Sequence, residues 1–365
     1  MRGLHGWMAL RPRWQAMLDA RMEPDCIFRQ PAWYGARLQH LCDSPDELAF
    51  VCAQRGDRLE AVLPLTVDQR PFGAGLMTLR EARTPVHAHQ LISDLALAPD
   101  MDADDLWPEL FDWLQGSVAA REIGWDLLRL DGVIAGSGLD RAARSERRPA
   151  ECSMPLRESA WLDCSGTPEQ ALAPVSRSHH GNVRRLMRRA QSRGALRFEV
   201  VESGPALEAA LEQFLQLEAS GWKAETGSAI ARSDSLSGFY RALARQFADQ
   251  RTCRIHLLRL DGQAIAAQFA LLGARTLHLV KIAYLESEAD LAPGHLIMRE
   301  AIESACADAR IDRLSFVTHP PWAHLWKPHI APVSQHLLFH RSLRGWAIGQ
   351  LRRWRPAGPA VLPRR

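Results

Sequence analysis

Apolar residues recur along the chain with two periods, and the two alternate in a fixed order. In "PALEAALEQFLQLEASG", Leu207, Leu211, Phe214 and Leu215 share one helix face, and a second helix is expected from Ser235 to Asp249. "RIHLLRL" and "QAIAAQFALLG" then read as strands joined by Asp261-Gly262, the two-residue turn favoured in β-hairpins. A third strand, "TLHLVKIAY", precedes a helix at 294–309, and strand "DRLSFVT" and a short Pro-led helix follow.

The first half repeats this order more faintly. Helix "PAWYGARLQHL" leads to strand "ELAFVCAQ", turn "RGDR" and strand "LEAVLPLTV". A strand near Leu76 to Leu79, a helix from about Asp104 to Arg121 and strand "WDLLRL" complete it. Each half reads α–β–β–β–α–β, and a repeat of this size means duplicated domains rather than a solenoid. The expected fold is therefore α/β (α+β), two tandem domains with mixed, largely antiparallel sheets. The expected divisions are an extension at 1–25, a first domain at 26–155, a second at 156–340 and a basic tail at 341–365. The polar stretch "SGLDRAARSERRPAECSMP" is the linker candidate.

Composition narrows the class. The chain has 365 residues, 47% of them apolar, enough for two cores. Its longest apolar run, around Ile265 to Leu272, falls short of the roughly 18–20 residues of a membrane span. The opening "MRGLHGWMALRPRWQAML" lacks the apolar core and cleavage site of a signal peptide. Seven scattered cysteines with no C-x-x-C read as reduced core residues of a cytoplasmic protein, and no metal site is expected. "DGVIAGSG" is only a weak echo of a nucleotide-binding turn, because the sequence after it is polar.

The net charge of +3 hides a division. Seven arginines and no acid lie between Arg177 and Arg197, and seven more with no acid between Arg341 and Arg365, leaving 3 − 14 = −11 elsewhere. Such concentrations are solvated helix faces, or sites for phosphate, an anionic substrate or anionic lipid. DNA is not expected, because no stacking aromatics or recognition motif accompany the arginines, and tRNA is the weaker partner. The tail sets Leu343, Trp346, Ile348 and Leu351 among arginines. That pattern suits either peripheral contact with an anionic membrane or docking on its own domain.

Within "LESEADLAPGHLI", Pro293 and Gly294 stand at a helix start. Proline pre-sets the first turn without an N–H to leave unpaired, and glycine lets an anion approach the backbone. The N–H groups of Gly294, His295 and Leu296 would face it, so the junction is either an ordinary Pro-initiated helix or a phosphate site. Lysine occurs only at 223, 281 and 327, and two of three tyrosines, Tyr240 and Tyr284, lie in the same region. In a chain that otherwise uses arginine, these mark places where a compact ammonium is needed.

The segments "SRSHHGNVRRLMRR", "LEASGWKAETGSA", "FYRAL", "LDGQAIAAQFAL", "KIAYLES", "LAPGHLI" and "WAHLWKP", spanning roughly 176–328, carry a family resemblance. In this order they resemble the GNAT acyltransferases in duplicated, FemAB-like form. The similarity extends to acyltransferase-like proteins linked to cellulose and other exopolysaccharide pathways. The resemblance implies transfer from acetyl-CoA or another acyl-CoA to an amine or hydroxyl of a small molecule or sugar precursor. The coenzyme pyrophosphate would lie on Ala292, Pro293, Gly294, His295 and Leu296. Tyr284 is the candidate acid for the departing thiolate; Glu218, Glu286 and Glu288 are candidate bases; Lys223 completes the catalytic set. Arg184, Arg185, Trp222, Tyr240, Lys281, His319, Trp322 and Lys327 are the candidate acceptor residues. Lys223, Tyr240, Lys281, Tyr284 and Trp322 are expected to line one cavity beside the turn. Leu285 stands where the family often has Asp, Ala219 where it has an acid, and "SFVTHPPW" replaces a Gly-Asp-like pattern. An aminoacyl-tRNA-dependent transferase and a non-catalytic scaffold of exopolysaccharide synthesis are the alternatives.

Overall fold

The computed structural model describes residues 1–353 apart from 21–25, 45, 73–76, 117, 119–121, 146–151 and 221–232. In chain order the first elements are α1 (Gly3–Asp19), α2 (Pro31–His40), β1 (Leu48–Arg55), β2 (Arg58–Phe72), β3 (Met77–Arg83) and β4 (Ala96–Leu97). Next come α3 (Ala103–Gln115), β5 (Leu127–Ile134), α4 (Gly138–Ser145) and β6 (Cys152–Asp163). They are followed by α5 (Pro168–Leu172), α6 (Arg177–Arg193), β7 (Leu196–Val201), α7 (Gly204–Ser220) and α8 (Asp234–Ala248). The last are β8 (Cys253–Leu260), β9 (Gln263–Gly273), β10 (Thr276–Tyr284), α9 (Pro293–Ala307), β11 (Arg313–Ser315), β12 (His329–Phe339) and α10 (Leu343–Arg353). Two compact units emerge: Met1–Pro31 with Cys42–Ser159 and Ala331–Arg365, and Ala32–Leu41 with Ala160–Ile330.

In the first unit the strands run β1-β2-β3-β5-β12, with β4 on β2. All neighbours are antiparallel except β3 and β5, which pair in parallel through Glu81–Leu127 to Arg83–Arg129. Asp102 caps α3 by accepting from Asp104 N at 3.0 Å, and α3 buries Leu106, Trp107, Leu110, Phe111 and Leu114 against Leu63, Leu65 and Leu128. Each fully buried Leu or Phe contributes about 1.5–3 kcal/mol of apolar transfer. Helix α4 and the start of β6 occupy the stretch expected to be a linker. Leu139, Ala142 and Ala143 of α4 are buried in the same core, so the polar sequence hid a packed face.

The second unit repeats the plan, with strand order β6-β11-β10-β9-β8-β7 and one parallel pair, β10 with β11. The β8–β9 turn is the expected Asp261-Gly262 pair, with φ of 49° and 83°, so both residues are left-handed as a twisted hairpin requires. Ser176 and Ser233 cap α6 and α8, accepting from His179 N and Leu236 N at 3.2 Å each. Helices α6 and α9 pack on the sheet face that carries Leu258, Ala266, Ala270 and Leu279. On the other face, Phe269 meets Phe214 of α7 and Tyr240 of α8 at 6.0 and 5.1 Å. Helix α2 belongs here too: Trp33 stands edge-on to Phe239 at 5.8 Å. Among the described residues no helix is long and apolar enough to cross a membrane.

Candidate acyl-transfer site

Strand β10 pairs with β11 only from Thr276 to His278. Immediately beyond, Val280 forms a bulge between Leu279 and Lys281, and β11 ends at Ser315 with Val317 left-handed at φ 63°. The two parallel strands therefore part company. Past His278, β10 pairs with no strand on that side among the described residues.

The expected helix start lies at the end of this strand. A 3₁₀ turn over Glu286–Leu291 leads to Ala292, which is left-handed at φ 47°, ψ 59°, and Pro293 then opens α9. His295 N and Leu296 N lean back to Ala292 O at 2.9 and 3.4 Å. Of the three expected donors, Gly294 N–H is thus the one with no such bond. A Cβ on Gly294 would meet only the Tyr284 ring, at 4.0 Å. The approach to the backbone is open there.

Arginines of α6 brace this turn. Arg189 reaches Asp290 at 2.6 Å; Arg193 pairs with Asp290 and with Glu288 at 3.2 Å. Hydrogen bonding from Arg193 holds the Asp290 carboxyl below its usual range. Glu288 is an ion-pair partner of Arg193, and Glu286 is exposed at the start of the 3₁₀ turn. The arginines of α6 do not act as one unit. Arg189 serves the turn, Arg185 donates to Asn182 Oδ1 at 2.9 Å, and Arg184 and Arg188 line a cleft of about 530 Å³ with Arg299, Glu300 and Glu303.

An aromatic wall stands at the start of α9. The His295 ring meets His179 at 5.2 Å, Trp326 at 6.1 Å and Trp322 at 6.5 Å, and Trp322 packs edge-on to Phe316 at 5.5 Å. Burial lowers the pKa of both histidines, with their mutual repulsion adding to the effect at His179. His319 is half-buried in the loop before Trp322, and Lys327 is an exposed, left-handed residue (φ 54°) closing the short 3₁₀ helix.

Other expected residues gather on the opposite sheet face. Glu218, fully buried near the end of α7, has Oε1 3.9 Å from Lys281 Nζ. Tyr240 is fully buried beside Phe214, Phe239 and Phe269, its phenol pKa raised by burial and then by the Glu218 charge. The single cavity expected beside the turn is therefore corrected to two clusters: Tyr284 and Trp322 with α9, and Glu218, Tyr240 and Lys281 with α7 and α8. Strand geometry is the reason. Tyr284 lies three positions after Lys281 on the strand, an odd offset, so their side chains leave opposite faces. Trp222 and Lys223 lie outside the described residues. Sequence reasoning missed Arg193, His179 and Trp326; only Arg193 carried a signal, as one of the seven clustered arginines.

The first unit has no equivalent opening at the matching place. Past β3, Thr84 N donates to Arg129 O at 3.0 Å, Asp131 N to Thr84 Oγ1 at 2.7 Å and Ser93 N to Gly132 O at 3.0 Å. The segment after β3 thus stitches the gap shut, and α3 begins with Asp102, Asp104 and Asp105, which oppose an anion.

Residues 177–323 match the family described as "Acetyltransferase (GNAT) domain". That stretch lies within the second unit, which therefore carries a GNAT-type acetyltransferase domain. Solved structures of similar fold include FemX, with 11% identity over 93% of this chain and 98% of that one, at TM-score 0.60. L-PGS from Bacillus licheniformis aligns at 12% identity over 97% of each chain, TM-score 0.58. The C-terminal domain of a putative lysylphosphatidylglycerol synthetase from Agrobacterium fabrum aligns at 12% over 95% and 96%, TM-score 0.57. At these identities the likeness is one of fold. A comparison with curated protein sequences finds no match.

Proposed function

We propose that the chain transfers an acyl group from an acyl-CoA to an amine or hydroxyl of a small molecule or sugar-type envelope precursor. The observation that carries the reading is the open Gly294 backbone beneath Tyr284, at a helix start beside the gap between β10 and β11. The thioester supplies an activated carbonyl and a thiolate leaving group. Gly294 N–H and the α9 dipole would bind the pyrophosphate, and the gap where β10 and β11 part would admit the amide-bearing arm. Tyr284 would donate its phenolic proton to the departing sulfur. Glu218, on the other sheet face, would take the proton lost by the acceptor, with Lys281 holding the carboxylate in place. The acceptor would approach from that face and meet the thioester in the gap between β10 and β11.

Coenzyme A should raise the unfolding midpoint of the full chain, since a ligand that binds only the folded state stabilises it. No shift with the coenzyme in large excess sinks the reading. An aminoacyl-tRNA-dependent transfer is the second reading, favoured by one observation. Arg177, Arg184 and Arg299, against Glu169 and Glu303, border a further cleft of about 280 Å³ among α5, α6 and α9, and the excess of arginine would favour a polyanion. Retention of tRNA on a filter without any response to coenzyme A would select it.

A further inference from the structure

Helix α10 is fixed to the first unit by one side only. Ser342 caps it, accepting from Gly345 N at 3.2 Å. Ile348 is fully buried among Leu79, Leu127, Leu337 and Phe339. Gly345 permits this close seating, because a Cβ there would collide with the His340 carbonyl. Arg341 pairs with Asp112 at 2.6 Å and Arg344 with Asp126 at 3.0 Å, so ion pairs as well as packing hold the helix down.

Its other side is apolar and faces water. Leu343 is 87% exposed, Trp346 60% and Leu351 50%. At 100° per residue these three fall within an arc of about 140°, opposite the buried Gly345, Ile348 and Gly349. Single exposed apolar residues are common on soluble proteins; three large ones on one anchored helix, a tryptophan among them, form a patch that calls for a partner.

We infer that this face of α10 docks on the surface of an anionic lipid bilayer. Leu343, Trp346 and Leu351 would enter the interfacial region, and the basic composition of 341–365 would favour anionic over neutral headgroups. Residues 341–365 hold seven arginines and no acid, and Arg341 and Arg344 make the ion pairs above. A second copy is a poorer fit, because a two-fold contact through this face would set the arginine-rich segment against itself. A polyanion in solution would leave the apolar stripe uncovered. Apolar insertion combined with basic flanks is what holds amphipathic helices in an anionic interface.

The test is co-sedimentation of the full chain with vesicles. Binding is expected to vesicles containing about one-third phosphatidylglycerol, and little to pure phosphatidylcholine. The triple variant Leu343→Ser, Trp346→Ser, Leu351→Ser should bind at least about tenfold more weakly, with its unfolding midpoint and any coenzyme A response unchanged. The inference is overturned if the full chain stays in the supernatant with anionic vesicles, or if the triple variant pellets like the parent. It is equally overturned if the parent self-associates in solution and the triple variant does not, for then the face is an interface between copies.

Discussion

Tyr284 and Gly294 face one another across the turn that opens α9: the ring carbon Cδ1 stands 4.0 Å from where a Cβ on Gly294 would lie. Gly294 does not have the left-handed backbone of Ala292 beside it, so glycine is not required there for conformation. What it supplies is space. Gly294→Val should therefore fold, with a midpoint within a few degrees of the parent. Its side chain would fill the approach to the free N–H, and coenzyme A should bind at least about tenfold more weakly, about 1.4 kcal/mol. Titration calorimetry checks this; parental affinity would remove the turn from the donor site.

Tyr284→Phe probes the other half of that relationship. The ring stays, so its packing over Gly294 stays, and only the phenolic proton is lost. If that proton goes to the departing sulfur, the interaction exists mainly in the transition state. Turnover should fall about 10²-fold while coenzyme affinity changes less than about twofold. A loss of affinity with undiminished turnover would recast Tyr284 as a binding residue.

Glu218 and Lys281 make a separable prediction. Glu218→Gln keeps the shape of the side chain but leaves Lys281 without its buried counter-charge. The pair is 3.9 Å apart and Lys281 is partly exposed, so the stability cost should fall below the roughly 3–5 kcal/mol of a fully buried pair. Adding Lys281→Met should recover stability without recovering turnover. Recovery of both would reduce Glu218 to a structural partner.

These residues show how far the sequence can be read. Asp261-Gly262, Pro293 and the helix-period stretches carry local rules, and their elements lie where those rules place them. Helix α2 and strand β12 are different: their own patterns do not say that α2 joins the second unit or that β12 pairs with β5 in the first. Those are choices among distant partners. Helix α4 was hidden for another reason, since three small or apolar positions in eight residues are too few to stand out from arginines and acids. At the site, the scarcity of lysine and tyrosine pointed to Lys281, Tyr240 and Tyr284. The alternation of β10 then divides them between faces, a rule available in the sequence once the strand is recognised. The clamp of Arg193 on Asp290 spans 97 positions and had no local signature.

The last prediction concerns pH. His256 and His278 are fully enclosed in the second unit, and burial pushes both down to about 4 from an ordinary 6.5. At His256 a hydrogen bond with Gln268 at 2.9 Å opposes the shift only in part. Between those two values the unfolded chain binds protons that the folded chain refuses. Stability is therefore complete above pH 6.5, falls as pH drops toward about 4, and loses nothing more from these groups below that. Each histidine contributes a slope approaching one proton. Asp308 adds little in this window, because its carboxyl is mostly ionised in the unfolded chain too until pH approaches the ordinary 3.8. Urea unfolding of the parent and of His278→Gln at several pH values from about 7 to 4.5 separates the term. The variant should lose distinctly less stability across that range. Parallel curves for the two proteins would show that His278 takes up its proton as readily in the folded chain as in the unfolded one.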